Sequence, residues 1–168
     1  MVENNRNETT IQIKKRESVL RFPIAEENGE LTGEYLEFDI EDIEVPIRYQ
    51  QMLEEHKKNL AYIKNAFIII DKKQDHKGKK LLSRNEEEKV KTLNEFYKKE
   101  MATLDLFLGP DGTKKILHGR KPYFFMFEDI GKMIETILPE IKQGYEDMKK
   151  KIKDKYAEAA TGDDDILE

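Results

Sequence analysis

Pro46-Ile47-Arg48-Tyr49-Gln50-Gln51-Met52-Leu53-Glu54-Glu55-His56 opens the stretch that decides the fold. Tyr49, Leu53, His56, Leu60, Ile63, Phe67 and Ile70 recur in it at alternating steps of four and three residues. That period belongs to an α-helix that lays one seam along another helix. Asp42 is available as a cap, and Pro46 suits a first turn, where its missing N–H costs nothing. Continued to Ile70, the helix would be about 36 Å long. The β-branched run Ile68-Ile69-Ile70 leaves its end open.

Toward the C-terminus, the segment from Asp71 to Lys80 holds no apolar residue and reads as a solvated, lysine-rich loop. Ser83-Arg84-Asn85-Glu86 is then a capping box, and it opens a second stripe of Val90, Leu93, Tyr97, Met101, Leu104 and Leu108. Gly109-Pro110 stops that helix. The glycine-punctuated run Asp111 to Lys121 reads as a connection, and Pro122 starts a third helix through Leu138. Its buried face is Tyr123, Phe127, Ile130, Ile134 and Ile137. Pro139 predicts a kink or a break before a last helix striped by Ile141, Tyr145, Met148, Ile152 and Tyr156.

Toward the N-terminus the period drops to two. Leu20, Phe22 and Ile24 alternate with other residues, as do Leu36, Phe38 and Ile40, and Asn28-Gly29 between them favours a type I′ turn. Pro23 makes its strand an edge strand. A lone hairpin is marginal in water, so its Leu/Phe/Ile face must lie on the helices. The expected organisation is mainly α, about four helices with an N-terminal β-hairpin arm: a flexible segment 1–18, the arm 19–41, a helical domain 42–160 and an acidic tail 161–168.

The chain's 168 residues hold one such domain and leave little room for two cores. It is 39% charged and 38% hydrophobic, with mean hydropathy −0.79. A net charge of −5 argues against a surface that coats nucleic acid. The absence of cysteine excludes disulfides, thiolate metal sites and a Cys nucleophile together. No apolar stretch resembles a secretory leader or reaches the length of a membrane span, so the expectation is a cytoplasmic protein with no membrane partner.

Catalytic patterns are missing too. The serines are Ser18 and Ser83; neither stands in a Gly-x-Ser-x-Gly elbow, and Ser83 already has a capping role. His56, His76 and His118 share no metal-ligand spacing, and His56 reads as a seam residue with a local hydrogen bond. Gly109, Gly112 and Gly119 lack the Lys-Ser/Thr of a phosphate loop and follow a helix instead of a strand. Glu86-Glu87-Glu88 and Asp163-Asp164-Asp165 read as solvated charge runs, and Asn7-Glu8-Thr9 as a chance sequon. No catalytic residue, metal ligand or cofactor is expected.

Apolar residues remain in surplus. On a wheel of about 100° per residue, Phe125 falls on the far side of the expected third helix, at about 200° from Tyr123, and Tyr62 and Ile69 fall opposite the seam of the first. These residues either pack on a second neighbour within the bundle or form a contact surface for another chain. The expected partner-binding residues are Tyr62, Ile69, Phe124, Phe125 and Met126, with Arg120 and Lys121 as anchors for an acidic neighbour.

The segment Asp105-Leu106-Phe107-Leu108-Gly109-Pro110-Asp111-Gly112-Thr113, continued through Lys114-Lys115-Ile116-Leu117-His118-Gly119-Arg120-Lys121-Pro122, resembles the tail assembly chaperones of long-tailed phages and prophages of Gram-positive bacteria. Members often combine an acidic-hydrophobic helix end, a Phe-Gly-x-Gly-Thr-like turn, a Gly-Arg-Lys/Arg connection and a hydrophobic helix. Here Leu108 separates Phe107 from Gly109, and Pro110-Asp111 occupies the turn. The block Gly33 to Ile43 before a long helix is similar as well, so the likeness spans about residues 19–158. The resemblance implies a helical, non-enzymatic protein of the host cytoplasm. It would keep the tape measure protein soluble, give way as the tail tube protein polymerises, and be absent from the mature particle. Homo-oligomers fit this reading. The alternatives are a head-tail connector or tail-completion protein, and a small regulator gripping nucleic acid through Lys72, Lys73, Lys77, Lys79 and Lys80.

Overall fold

The computed structural model describes residues 18–161, with side chains through Glu158. Of the expectations above, the segment 1–17, the sequon and the tail 162–168 lie outside the described residues. The elements are β1 (Val19–Ala25), β2 (Leu31–Asp39), α1 (Val45–Asp71), α2 (Arg84–Leu108), α3 (Gly112–Leu117) and α4 (Met126–Thr161). The fold is mainly α with an N-terminal antiparallel hairpin, as the two sequence periods predict.

Pairing of Leu20 with Phe38 and of Phe22 with Leu36 sets these four side chains on one face. Leu36 and Phe38 are buried there, and Phe22 meets Phe38 edge-on with ring centroids 5.8 Å apart. β1 begins at Val19, the first residue of the expected arm, and Ser18 just before it is tied to the far end of the hairpin. Ser18 is buried, its hydroxyl donates to Asp39 Oδ1 at 2.8 Å, and its carbonyl accepts the Ile40 N–H. The hairpin loop also differs from the expected two-residue turn. A β-turn runs from Glu26 to Gly29, and of Asn28 and Gly29 only Gly29 takes a left-handed conformation, with φ 86°. Asn28 instead accepts the Glu30 N–H with its side-chain oxygen. A longer loop ending in a left-handed glycine accommodates strand twist as well as the type I′ turn does.

Pro46 occupies the first turn of α1, but Asp42 is not its N-cap. The cap position is Glu44, whose N–H bonds the Asp42 carboxylate at 2.9 Å, and Arg48 closes on the same carboxylate at 2.7 Å. These two donors hold the Asp42 pKa below its ordinary value, the guanidinium contributing most. The helix continues unbroken through Ile68-Ile69-Ile70 for 27 residues. Its seam is rotated by about 50° from the expected one. Leu53 and Leu60 are exposed, and Met52 and Asn59 take the inward places.

α2 starts with the predicted reciprocal cap. Ser83 Oγ accepts the Glu86 N–H, and Glu86 accepts the Ser83 N–H. Its apolar surface is wider than one stripe: Phe96 and Phe107 are buried beside Leu104 and Leu108, whereas Val90 is exposed. α2 is therefore the central helix. Phe107 meets Tyr49 of α1, and Phe96 and Tyr97 meet Phe127 of α4.

The number of helices matches the expectation, and so do the ends of α2 at Ser83 and Gly109, but the boundaries after Gly109 do not. The run after Gly109 is not all connection, because Asp105 accepts the Thr113 N–H at 2.8 Å and helps start the one-and-a-half-turn α3. Lys121, Pro122 and Tyr123 are irregular, so no helix begins at Pro122. The two expected C-terminal helices are one, α4, which continues through Pro139. Proline removes a single helical bond, and Pro139 is exposed. Ile134, Ile137 and Ile141 are buried on both sides of it and hold the helix to the body across that gap. Farther along, α4 passes close to the hairpin base at Gly144. A Cβ there would stand 2.8 Å from Ile40 Cγ2, so glycine permits the approach.

Candidate interaction surface

The residues expected to meet a partner divide into three groups. Phe124 and Phe125 are 67% and 62% exposed, with rings 5.1 Å apart and nearly perpendicular. They lie in the turn before α4 and not on a helical face, so their exposure comes from the turn. Tyr123 braces that turn by donating to Asp129 Oδ2 at 2.9 Å. Tyr62 and Ile69 are exposed along one flank of α1, where the Lys99 ammonium sits 4.1 Å from the Tyr62 ring centroid. The described ring contacts tie Phe124 to Phe125 and do not reach Tyr62.

Met126 is a correction. It is 1% exposed, part of the same core as Ile130 and Leu117, and has no free surface to offer. Four residues before Ile130, it stands about 40° from that buried side chain on the helix, so helical spacing itself sets Met126 on the inward side. Arg120 is engaged within the chain, its guanidinium bonded to the Glu26 carboxylate of the hairpin loop. Lys121 is exposed at the edge of a shallow hollow lined by Val90, Leu93, Tyr97 and Pro122.

Two linked grooves, which the sequence reading did not single out, run between the start of α1 and α4. The first, of about 460 Å³, is lined by Val45, Tyr49, Phe107, Leu138, Ile141 and Tyr145 among others. The second, of about 350 Å³, lies between Ile40 and Ile43 on one side and Met148 and Ile152 on the other. Pro46, Tyr145 and Lys149 border both. The Tyr145 hydroxyl ties the walls together, donating within reach of the Asp42 carbonyl at 2.7 Å and the Asp39 carbonyl at 3.2 Å.

Burial, and then the Asp42 carboxylate, push the Tyr145 pKa up to about 12. A folded-state pKa above the ordinary value of 10 gives a stabilisation complete below pH 10 and lost as pH rises toward 12. Tyr145→Phe is accordingly expected to lower stability at neutral pH by about 1 kcal/mol. It should also remove this alkaline loss, read as urea midpoints from pH 8 to 12.

A buried polar cluster links α1 to α2. Glu100 is 0% exposed, and its carboxylate is bonded by His56 Nδ1 and by Asn59 Nδ2 at 2.9 Å, while Asn59 also donates to Thr103 Oγ1 at 3.0 Å. His56 thus has the expected seam position, but its hydrogen bond is to Glu100 of α2 and not the local one expected. Its pKa is raised, first by the Glu100 hydrogen bond, with burial opposing.

The Asp71 to Lys80 loop is exposed throughout, and Asn85 anchors it by donating to the Ile70 and Lys73 carbonyls. Among the described residues, no group of three or more His, Asp or Glu is placed to hold a metal ion. No described helix is long and apolar enough to cross a membrane. Comparison with family models, curated proteins and solved structures returns no match for the chain.

Proposed function

We propose that the chain is a tail assembly chaperone that binds the tape measure protein in the host cytoplasm and keeps it soluble, without catalysis, until the tail tube protein displaces it. The observation that carries this reading is the Phe124-Phe125 pair, two large rings held in solvent on a braced turn. Such rings gain little for an isolated monomer, and they supply rigid apolar contact area to a partner at low entropic cost. Ile69 and Tyr62 on α1 offer further shallow contacts. Contacts of this kind shield an aggregation-prone helix yet yield one by one, which suits a partner that must later be released. The resemblance in the segment from Asp105 to Pro122 names that partner.

Co-expression with the tape measure protein is expected to raise its soluble fraction several-fold. The Phe124→Asp/Phe125→Asp variant should bring the fraction back to the level without chaperone while keeping the wild-type melting temperature, since both side chains stand outside the core. No gain in solubility from the wild-type chain would refute the reading. So would detection of the chain in purified particles by mass spectrometry.

A further inference from the structure

The second half of α4 carries a surface that the reading above does not use. From Lys149 to Glu158 every described side chain is exposed, a length of about 15 Å. The segment extends the packed first half of a 36-residue helix, and an apolar face on such an extension is a surface to be covered. The face is present: Met148, Ile152 and Tyr156 lie within about 40° of one line along the helix. Only lysines border it, Lys149 and Lys153 on one side and Lys151 and Lys155 on the other. Asp147, Asp154 and Glu158 all lie more than about 110° away, and Glu146, equally far round, reaches Lys149 in an exposed i,i+3 pair at 3.0 Å that a partner carboxylate can replace. Between Lys149 and Lys155 the chain places five lysines against one aspartate, within a protein of net charge −5.

Opposite this face stand Ile40 and Ile43, the latter 78% exposed, and the space between is the 350 Å³ groove, with Glu41 its one acidic lining residue. The geometry points to a docking groove for an amphipathic helix of another protein, one whose apolar stripe is bordered by Asp and Glu. Its apolar residues would enter between Ile43 and Ile152, and its carboxylates would meet the lysine borders. Charge complementarity selects this occupant over a second copy of the chain, because two such arms side by side would bring lysine borders against each other. The concavity selects a helix over a bilayer, since a flat surface reaches Ile152 and Tyr156 but not the groove floor. The inference stands whether or not the partner is the tape measure protein.

The test uses the full chain and two synthetic helical peptides of about five turns. They share one leucine stripe and differ only in Glu or Lys at the bordering positions. At low salt the Glu-bordered peptide is expected to bind about tenfold tighter by fluorescence anisotropy. Binding should protect amides 145–156 from hydrogen exchange, and Ile152→Asp should abolish it. Lys149→Glu/Lys153→Glu, which leaves two lysines facing two glutamates along the borders, should abolish the preference between the peptides. Phe124→Asp/Phe125→Asp should leave binding unchanged, which separates this site from the chaperone reading. Equal affinity for the two peptides overturns the proposal, as does binding indifferent to Ile152→Asp. A dimer that Ile152→Asp dissolves, or tighter association with phosphatidylglycerol vesicles than with the Glu-bordered peptide, overturns it in favour of those occupants.

Discussion

His56→Ala is expected to lower the free energy of unfolding at neutral pH by about 1–3 kcal/mol, the cost of leaving a buried acceptor short of a donor when the lost partner is itself partly screened by solvent. The truncated side chain is itself partly exposed, so its own packing accounts for little of this. The loss falls on Glu100, which has no solvent contact and would be left with Asn59 Nδ2 as its remaining donor. Replacing both members by leucine removes the stranded carboxyl along with the histidine. His56→Leu/Glu100→Leu should therefore fall within about 1 kcal/mol of the wild type, or above it. Urea unfolding of the wild type, His56→Ala and His56→Leu/Glu100→Leu reads both effects; a cost for His56→Ala no larger than that of the double variant would show that the pair stabilises nothing.

The same pair gives the α1–α2 contact a pH dependence. Because the Glu100 hydrogen bond raises the folded-state pKa of His56 above its ordinary 6.5, the contribution of the pair is complete below pH 6.5 and disappears as pH rises through the higher folded value. The wild type should lose stability on the alkaline side of pH 6.5, and the double leucine variant should not.

Legibility in the sequence followed the strength of the local signal. The hairpin was readable because period-2 apolar residues have no helical alternative there, and the capping box placed the start of α2 because its two hydrogen bonds are local. The inward turn of α1 was not readable. Asn59 looks like a surface residue until Glu100 and Thr103, more than forty positions away, are brought against it. The start of α4 is not readable because proline is equally at home in a first turn and in extended chain, whereas the inward place of Met126, four residues before Ile130, is set by helical spacing alone. Pro139 misled in the other direction. A local rule predicts a break, but buried isoleucines on both sides hold the helix through it. Of the expected surface, Phe124, Phe125, Tyr62 and Ile69 are exposed. The groove beside Ile43 went unread since its walls come from residues about a hundred positions apart.

Phe107→Ala should destabilise the protein by about 3–5 kcal/mol, and the loss should appear first in the hairpin. The Phe107 ring is buried with its centroid 5.0 Å from the Phe38 ring of β2 and 5.0 Å from the Tyr49 ring of α1, so one side chain of α2 joins three elements. It also forms part of the wall of the 460 Å³ groove under α4 and of the hollow beside Asp42 and Arg48. Truncation would let the two merge and admit water to the seat of Phe38. A two-stranded hairpin has little stability apart from its docking surface. The remaining polar ties to the helices are peripheral, among them Tyr145 to the Asp39 carbonyl, Lys115 to the Tyr35 carbonyl and Arg120 to Glu26, and the other hairpin residues of the core, such as Leu36, surround the seat that Phe107 fills. Hydrogen exchange should therefore quicken at Leu36 and Phe38 well below global unfolding, while amides of α2 near Phe96 keep their protection through the Phe127 contact. Phe96→Ala provides the opposite pattern, loosening α4 and sparing the hairpin. If Phe107→Ala raised exchange evenly along the chain, the hairpin and the helices would open as one unit and Phe107 would not be its seat.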